Sequence, residues 1–369
     1  MKKQRIVIAS VLKPVDDTRM LEKMGMTLQS SGEYEVFITG YPSQHSPSAD
    51  PIHLLPLDLF KRISLGRFLA PFKIVKKIHQ VKPEILIVNT HELLIVAIVT
   101  RILWGTRIFY DIRENYYRNI LFSEAFQPPL NLFLALAVRG KEKLASPFFS
   151  GFFLAEKGYS TEMSFFGNRA ITLENKAVIS PGFKRTESHG KTRLLMSGTL
   201  AESTGIFEAI RLAKSLYEID PSIELTLMGY CARADVLKKI HAGINGSSFI
   251  TLVGGDRLIP HREIVQAIFS SDFGIVCYPT SPHTENSIPT KLYEYLAYSL
   301  PILLQRHPPW LDLCAPYKAC ISIDFQNIHF QDLLKEMQST SFYTRKAENV
   351  SWTTEGQILL DALSEFKKV

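Results

Sequence analysis

The segment Thr284–Leu304 reads TENSIPTKLYEYLAYSLPILL and follows closely on the apolar run FGIVCY, Phe273–Tyr278. A short β-rich run, a helix opened by proline and a second short strand make one crossover, the repeating unit of parallel α/β sheets. Pro289 suits the first turn of that helix, because its fixed φ is helical and its missing N–H would have no partner there. The N–H groups of Thr290 and Lys291 are then free to meet an anion, and the Lys291 ammonium adds charge of the right sign. Glu294 follows Lys291 by three residues and shares its side of the helix. Two readings stand at this point. One is a surface Lys–Glu pair worth about 0.2–0.5 kcal/mol. The other is a nucleotide site, in which Ser287, Ile288, Pro289, Thr290 and Lys291 meet a diphosphate while Glu294 accepts the two hydroxyls of a ribose.

Outward from this segment the same alternation covers most of the chain. RIVIAS (Arg5–Ser10), YEVFITG (Tyr34–Gly40), EILIVNTHE (Glu84–Glu92) and TRIFYD (Thr106–Asp111) read as strands with helices between them. The region from Tyr116 to Gly167 is irregular and aromatic, and reads as a helical elaboration or as an apolar patch facing lipid. ITLENKAVI reads as the last strand of a first domain, and PGFKRTESHGK (Pro181–Lys191) as a polar linker. After it RLLMSG, IELTLMG, SFITLVG, DFGIVCY, PILLQ and CISIDF alternate with helical runs. The expected architecture is α/β, with two Rossmann-like parallel-sheet domains facing across a cleft. Residues 1–180 form the first and 181–350 the second, and a C-terminal helix over 351–369 packs back on the first.

A chain of 369 residues with 46% apolar and 21% charged content is long enough for two well-packed domains. Its net charge of +6 sits in the first half: residues 1–180 hold 23 Lys and Arg against 16 Asp and Glu, and the remainder 19 against 20. Between Asp58 and Glu84 there are seven basic residues and no acidic one. There Leu65, Phe68, Leu69, Phe72, Val75 and Ile78 recur at helical spacing, as in a crossover helix with a solvated basic face or a helix resting on anionic lipid. Nucleic acid is not an expected partner, since these aromatic residues lie on the side expected to be buried. No run reaches the roughly 20 apolar residues of a membrane span. The four cysteines form no CxxC pair. We expect a cytoplasmic protein associated with the inner face of a cell membrane.

In open parallel sheets, ligands bind beyond the carboxyl ends of the strands. Those ends place Lys13, Asp16, Asp17 and Arg19 after the first strand, Asn89, His91 and Glu92 after a later one, and Asp111, Arg113 and Glu114 after the next. The candidate catalytic residues are His91, Asp111, Glu114 and Lys291. His91 reads as a substrate contact or a structural histidine, and Asp111 with Glu114 as acceptor-orienting carboxylates or a solvated salt-bridge network. Asp17 reads equally as a helix cap. In the second domain Ser197, Gly198, Thr199 and Gly229 stand at strand ends, as a phosphate cradle or as tight turns. No D-x-D, G-x-G-x-x-G or Walker A motif occurs, and no His/Asp cluster has metal-ligand spacing. Neither a metal nor a cofactor is expected.

The chain resembles the retaining nucleotide-sugar glycosyltransferases of GT-B fold, specifically the group labelled family 4. SIPTKLYEYLAYSLPIL is similar to that group's P-x-K-x-x-E-Y-x-A-x-G-x-P donor-site helix, with Ser299 in place of its glycine. IVIASVLKPVDDTRMLEKMGMTL resembles its first strand and helix, NTHELL and RIFYDIRENY its paired first-domain loops, and LENKAVI the element before the second domain. The resemblance implies sugar transfer, with retention and without a metal, from a UDP- or GDP-sugar to a glycan or lipid-linked acceptor. It implies that Glu294 holds the ribose. Asn286 stands where the family's E-x7-E pair has its first glutamate, and an amide there can only hydrogen-bond the sugar. The family's basic residues after the second domain's first strand are replaced by Thr199 and Thr204, leaving Lys291, Arg257 or Arg193 to meet the diphosphate. An epimerase of the same fold and a non-catalytic binding protein are the alternative readings.

Overall fold

The computed structural model describes residues 3–43, 51–60, 64–122, 126–186, 190–281, 285 and 287–365. They form two compact units. In chain order the elements of the first part are β1 (Gln4–Pro14), α1 (Met26–Ser30), β2 (Tyr34–Tyr41), β3 (His53–Pro56), α2 (Leu65–Val81), β4 (Ile85–Val88), α3 (Leu94–Trp104), β5 (Arg107–Ile112), α4 (Tyr116–Leu121), α5 (Leu130–Ala145), β6 (Gly151–Leu154), α6 (Tyr159–Glu162) and β7 (Ala170–Thr172). There follow β8 (Thr192–Thr199), α7 (Ile206–Ile219), β9 (Ile223–Tyr230), α8 (Ala234–Ile244), β10 (Ile250–Gly255), α9 (His261–Phe269), β11 (Phe273–Val276), α10 (Thr290–Ala297), β12 (Ile302–Gln305), α11 (Pro308–Cys314), β13 (Cys320–Ile323), α12 (Phe330–Ser339) and α13 (Trp352–Glu365).

The first unit comprises residues Met1–Asn175 and Trp352–Val369, so α13 belongs to it, and the second comprises Lys176–Ser351. The change of unit therefore falls inside ENK, ahead of the polar Pro181–Lys191 segment. The two crossings of the chain come together at a parallel bridge, Ala177 with Ser351.

The strands of the first unit pair in parallel in the order β3-β2-β1-β4-β5-β6-β7, and those of the second in the order β10-β9-β8-β11-β12-β13. Continuous apolar runs such as Ile6–Ala9 and Ile85–Val88 are buried throughout, as a parallel sheet covered on both faces requires. Each order reverses direction once, between β1 and β4 and between β8 and β11. Those are the switch points at which crossover loops part and leave a crevice.

Two local expectations change. GFFL, inside the aromatic stretch after α5, is strand β6, its Phe152 and Phe153 buried beside β5. In α2 the sheet takes Ala70, Ile74, Ile78 and Val81, while Leu65, Phe68, Leu69 and Phe72 face outward. The helix is apolar over most of its circumference, and the small and β-branched stripe is the one that packs closest to the sheet. Among the described residues no helix is long and apolar enough to cross a membrane.

Candidate functional site

In the second unit the carboxyl ends of β8 and β11 meet the start of α10. Gly198 and Gly229 are paired in register across β8 and β9. A Cβ on Gly229, whose φ is +156°, would stand 1.6 Å from the Gly198 carbonyl oxygen. Only glycine lets these two backbones approach so closely, and the strand ends present bare peptide groups. Gly198 itself has φ +96°, and the position of its absent Cβ lies 3.7 Å from Lys291 Cε and 4.0 Å from Nζ. The lysine thus reaches from α10 to the end of β8.

Helix α10 is buried from Lys291 to Ala297. Lys291 and Glu294 do not form the surface pair that their spacing allows. Among the described residues the buried Lys291 Nζ has no hydrogen-bond partner, and it lies 5.1 Å from the centre of the Tyr278 ring. Burial pulls its pKa down to about 8, against the opposing influence of Cys277 and Glu294. The neighbouring Cys277 is no nucleophile, since burial pushes its thiol up to about 12. Glu294 accepts instead from His261 Nε2 at 3.1 Å. His261 opens α9, at the carboxyl edge of β10. Its spacing from Glu294 along the chain gives no hint of the contact.

The remaining strand-end residues are held by backbone and hydroxyl contacts. Ser197 N donates to the Tyr295 hydroxyl at 3.3 Å, and the two hydroxyls lie 3.0 Å apart. Thr199 is exposed. Thr204 Oγ1 accepts from Ala201 N at 3.1 Å and lies 2.9 Å from the carbonyl oxygens of Thr199 and Ala201, closing its own turn. Neither threonine supplies charge. Arg193 sits at the amino end of β8, bound to Asp272 and to the Thr186 carbonyl, which removes it as a phosphate contact. Arg257 is exposed beyond β10. Ahead of α10 the Ser287 carbonyl accepts from Trp310 Nε1 at 2.7 Å, and Ile288 leads into Pro289, which caps the helix with extended backbone (φ −58°, ψ 131°). Asn286 lies outside the described residues.

The first unit gathers a second constellation at its own switch point. Arg19 and Asp111 form a fully buried pair, with contacts of 2.7, 3.0 and 3.1 Å, and Arg19 also donates to the Leu173 carbonyl. The Asp111 carboxylate is therefore taken up by Arg19 rather than turned toward an acceptor. Arg113 donates to Asp17 at 2.7 and 3.1 Å. Burial raises the Asp17 pKa, but Arg113 outweighs it and the net shift is downward. The same carboxylate accepts the N–H groups of Arg19 and Met20, so it also acts as a cap. Glu114 meets Lys13 at 3.0 Å and Asn119 at 3.1 Å.

His91 begins the turn after β4. Its Nδ1 lies 2.8 Å from Lys141 Nζ on α5, and its ring packs edge-on to Tyr116. An ammonium has no acceptor, so Nδ1 accepts and the neutral ring carries its proton on Nε2. Burial lowers the His91 pKa to about 4, with Glu92 pulling it up and Lys141 and Arg67 pushing it down. His91 is thus a neutral hydrogen-bond donor at pH 7. Replacing Lys141 with methionine removes one of the cations that oppose protonation, so the His91 pKa should rise and both tautomers should appear. A ¹⁵N histidine titration by NMR checks this; an unchanged pKa and a single Nε2–H form would refute the assignment.

Among the described residues no group of three or more His, Cys, Asp or Glu is placed to hold a metal ion. No protein-family model matches the chain, and no curated protein matches it in sequence. Solved structures match it in shape. HepE of Anabaena, in complex with UDP and glucose, gives a TM-score of 0.67 at 14% identity, over 98% of this chain and 99% of that one. The chain has the GT-B fold. Sucrose-phosphate synthase of Thermosynechococcus elongatus gives 0.71 at 13% identity, over 99% and 100% of the two chains. A Listeria monocytogenes protein assigned as a UDP-N-acetylglucosamine 2-epimerase gives 0.63 at 12%, over 100% and 98%. Likeness at these identities shows the fold alone.

Proposed function

We propose that the protein is a retaining, metal-independent hexosyltransferase that moves a sugar from a UDP- or GDP-sugar to a hydroxyl of a glycan or lipid-linked acceptor. The observation that carries this reading is the buried Lys291 ammonium, without a hydrogen-bond partner among the described residues, beside the bare peptide groups of Gly198. A buried cation without an anion is costly, and a nucleotide diphosphate would supply the missing charge. Support also comes from HepE, which shares the fold and was captured with UDP-glucose.

In this mechanism the acceptor oxygen forms its bond to the anomeric carbon as the bond from that carbon to the diphosphate oxygen breaks. The leaving diphosphate oxygen takes the acceptor's proton on the same face. Lys291, in the first turn of α10, meets the growing negative charge. Glu294 accepts the ribose hydroxyls, and His261 fixes the orientation of its carboxylate. The second unit holds the donor. In the first, His91 offers its Nε2–H to a hydroxyl, Glu114 orients the acceptor, and Asp111 acts through Arg19 as a positioning residue. The cytoplasmic side of a membrane is the proposed setting.

The test is a screen of UDP- and GDP-sugars for hydrolysis and transfer, with the products' anomeric configuration read by NMR. Glu294→Gln removes one charge-assisted acceptor and should weaken nucleotide binding by about 10–100-fold in calorimetry. Equal binding by the variant would dismiss the ribose assignment. The epimerase reading has the Listeria neighbour in its favour. It would show instead as inversion at C2 of the donor sugar with no acceptor present.

A further inference from the structure

The first unit exposes large apolar side chains on three of its helices, α2, α3 and α5. Helices α2, α3 and α5 lie side by side, α2 against α3 and α3 against α5, and all three pack into the same core on one face of the sheet. Their opposite sides therefore make one continuous outer face. On α2 that face presents Leu65 (78% exposed), Phe68 and Phe72. On α3 it presents Ile95, Ile102 and Leu103, each more than 60% exposed. On α5 Phe133, Leu136 and Leu144 continue it. Single exposed hydrophobic residues are ordinary, but a field spread over three adjacent helices marks a surface that is covered in use.

Charge selects what covers it. Lys73, Lys76, Arg101 and Lys143 are exposed on these helices. The only acidic residue in the sequence of all three is Glu142, which is buried and bound to Tyr110 and Arg139. Asp58, just ahead of α2, pairs with Lys73, and among the described residues Lys76, Arg101 and Lys143 have no ion-pair partner. A second copy of the chain would bring like charges together. A nucleic acid would leave the aliphatic majority of the face in water, since leucine and isoleucine have no ring to stack on a base. An anionic bilayer satisfies both features: acyl chains take the apolar side chains and lipid phosphates take the lysines and arginines.

We propose that the outer face of α2, α3 and α5 docks on an anionic lipid bilayer, with Ile102 and Phe133 inserting at the headgroup boundary. This names the surface behind the membrane setting proposed above, and it needs no nucleotide. Its failure is therefore separable from failure of the donor reading.

The experiment is co-sedimentation of the full chain with phosphatidylcholine vesicles, with and without phosphatidylglycerol. The expected result is binding to the anionic vesicles that weakens with added salt. Ile102→Glu and Phe133→Glu should each lower it by about tenfold or more, because each buries a carboxylate and loses an apolar anchor. Both side chains point away from the core, so thermal unfolding of the variants should match the parent. Lys76→Glu, which changes charge without removing an anchor, should lower binding to anionic vesicles only. The proposal is overturned if the parent does not sediment with anionic vesicles, or if both glutamate variants sediment as it does. It is equally overturned if light scattering shows a dimer that the same variants dissolve.

Discussion

Asp111→Ala is expected to destabilise the first unit by about 3–5 kcal/mol, the cost of stranding one member of a buried ion pair. Arg19 and Asp111 are 1% and 0% exposed, so bulk solvent does not screen the charge left behind. Arg19 is already short of partners, because its Nη1 has none among the described residues. The guanidinium also joins parts of the unit that are far apart in sequence. From the helical segment Arg19–Gly25 that follows β1 it reaches Asp111 on β5 and the Leu173 carbonyl beyond β7, and it lies 5.5 Å from the centre of the Trp352 ring on α13. Asp111→Ala should therefore loosen α13 as well as the sheet. Whole domains are stable by only about 5–15 kcal/mol, so the loss is large. Urea unfolding followed by tryptophan fluorescence measures it. The double variant Arg19→Met/Asp111→Leu removes both charges and should lose much less than Asp111→Ala alone. If the single variant is as stable as the parent, the pair does not hold the unit together.

This pair also shows where sequence reading succeeds and where it ends. Strand ends were legible because a buried parallel strand is a short apolar run and its crossover helix has its own period. That placed Arg19, His91, Asp111, Gly198 and Lys291 at the correct edges of their sheets. What each side chain meets there was not legible. Arg19 and Asp111 are 92 residues apart, His91 and Lys141 50, and His261 and Glu294 33. No local pattern encodes such contacts. The Lys291–Glu294 spacing even suggested the wrong partner for Glu294. β6 escaped for another reason: GFFL sits among phenylalanines that also suit a packed helix, and four apolar residues carry no period. The α2 stripe failed because the helix has two apolar sides and spacing does not say which faces the sheet. The limit between the units was hidden too, since ENK lies within a strand-like run while the Pro- and Gly-bearing segment belongs to the second unit.

Lys291→Met is expected to lower kcat/KM for the nucleotide-sugar donor by about 10²–10³-fold, the usual consequence of losing one fixed charge donor at a leaving group. It should do so while raising stability. The Lys291 pKa is depressed from its ordinary value to about 8 by burial, so the folded state disfavours the charged form. The sign follows from linkage: below pH 8 the folded protein carries the full cost of a buried ammonium, and the cost fades as pH rises from about 8 toward the unfolded value near 10.5. Its ceiling is about 3 kcal/mol. The stability difference between the variant and the parent should therefore be largest at neutral pH and shrink above pH 8. Nucleotide binding reverses the argument. A diphosphate beside the ammonium raises its pKa, so UDP should bind the parent with proton uptake at pH 8–9 and more weakly as pH rises through that window. Calorimetry in buffers of different ionisation enthalpy reads the proton directly, and Lys291→Met should show none. A variant that turns over the donor at the parent's rate, or that takes up the same proton, would place the diphosphate elsewhere.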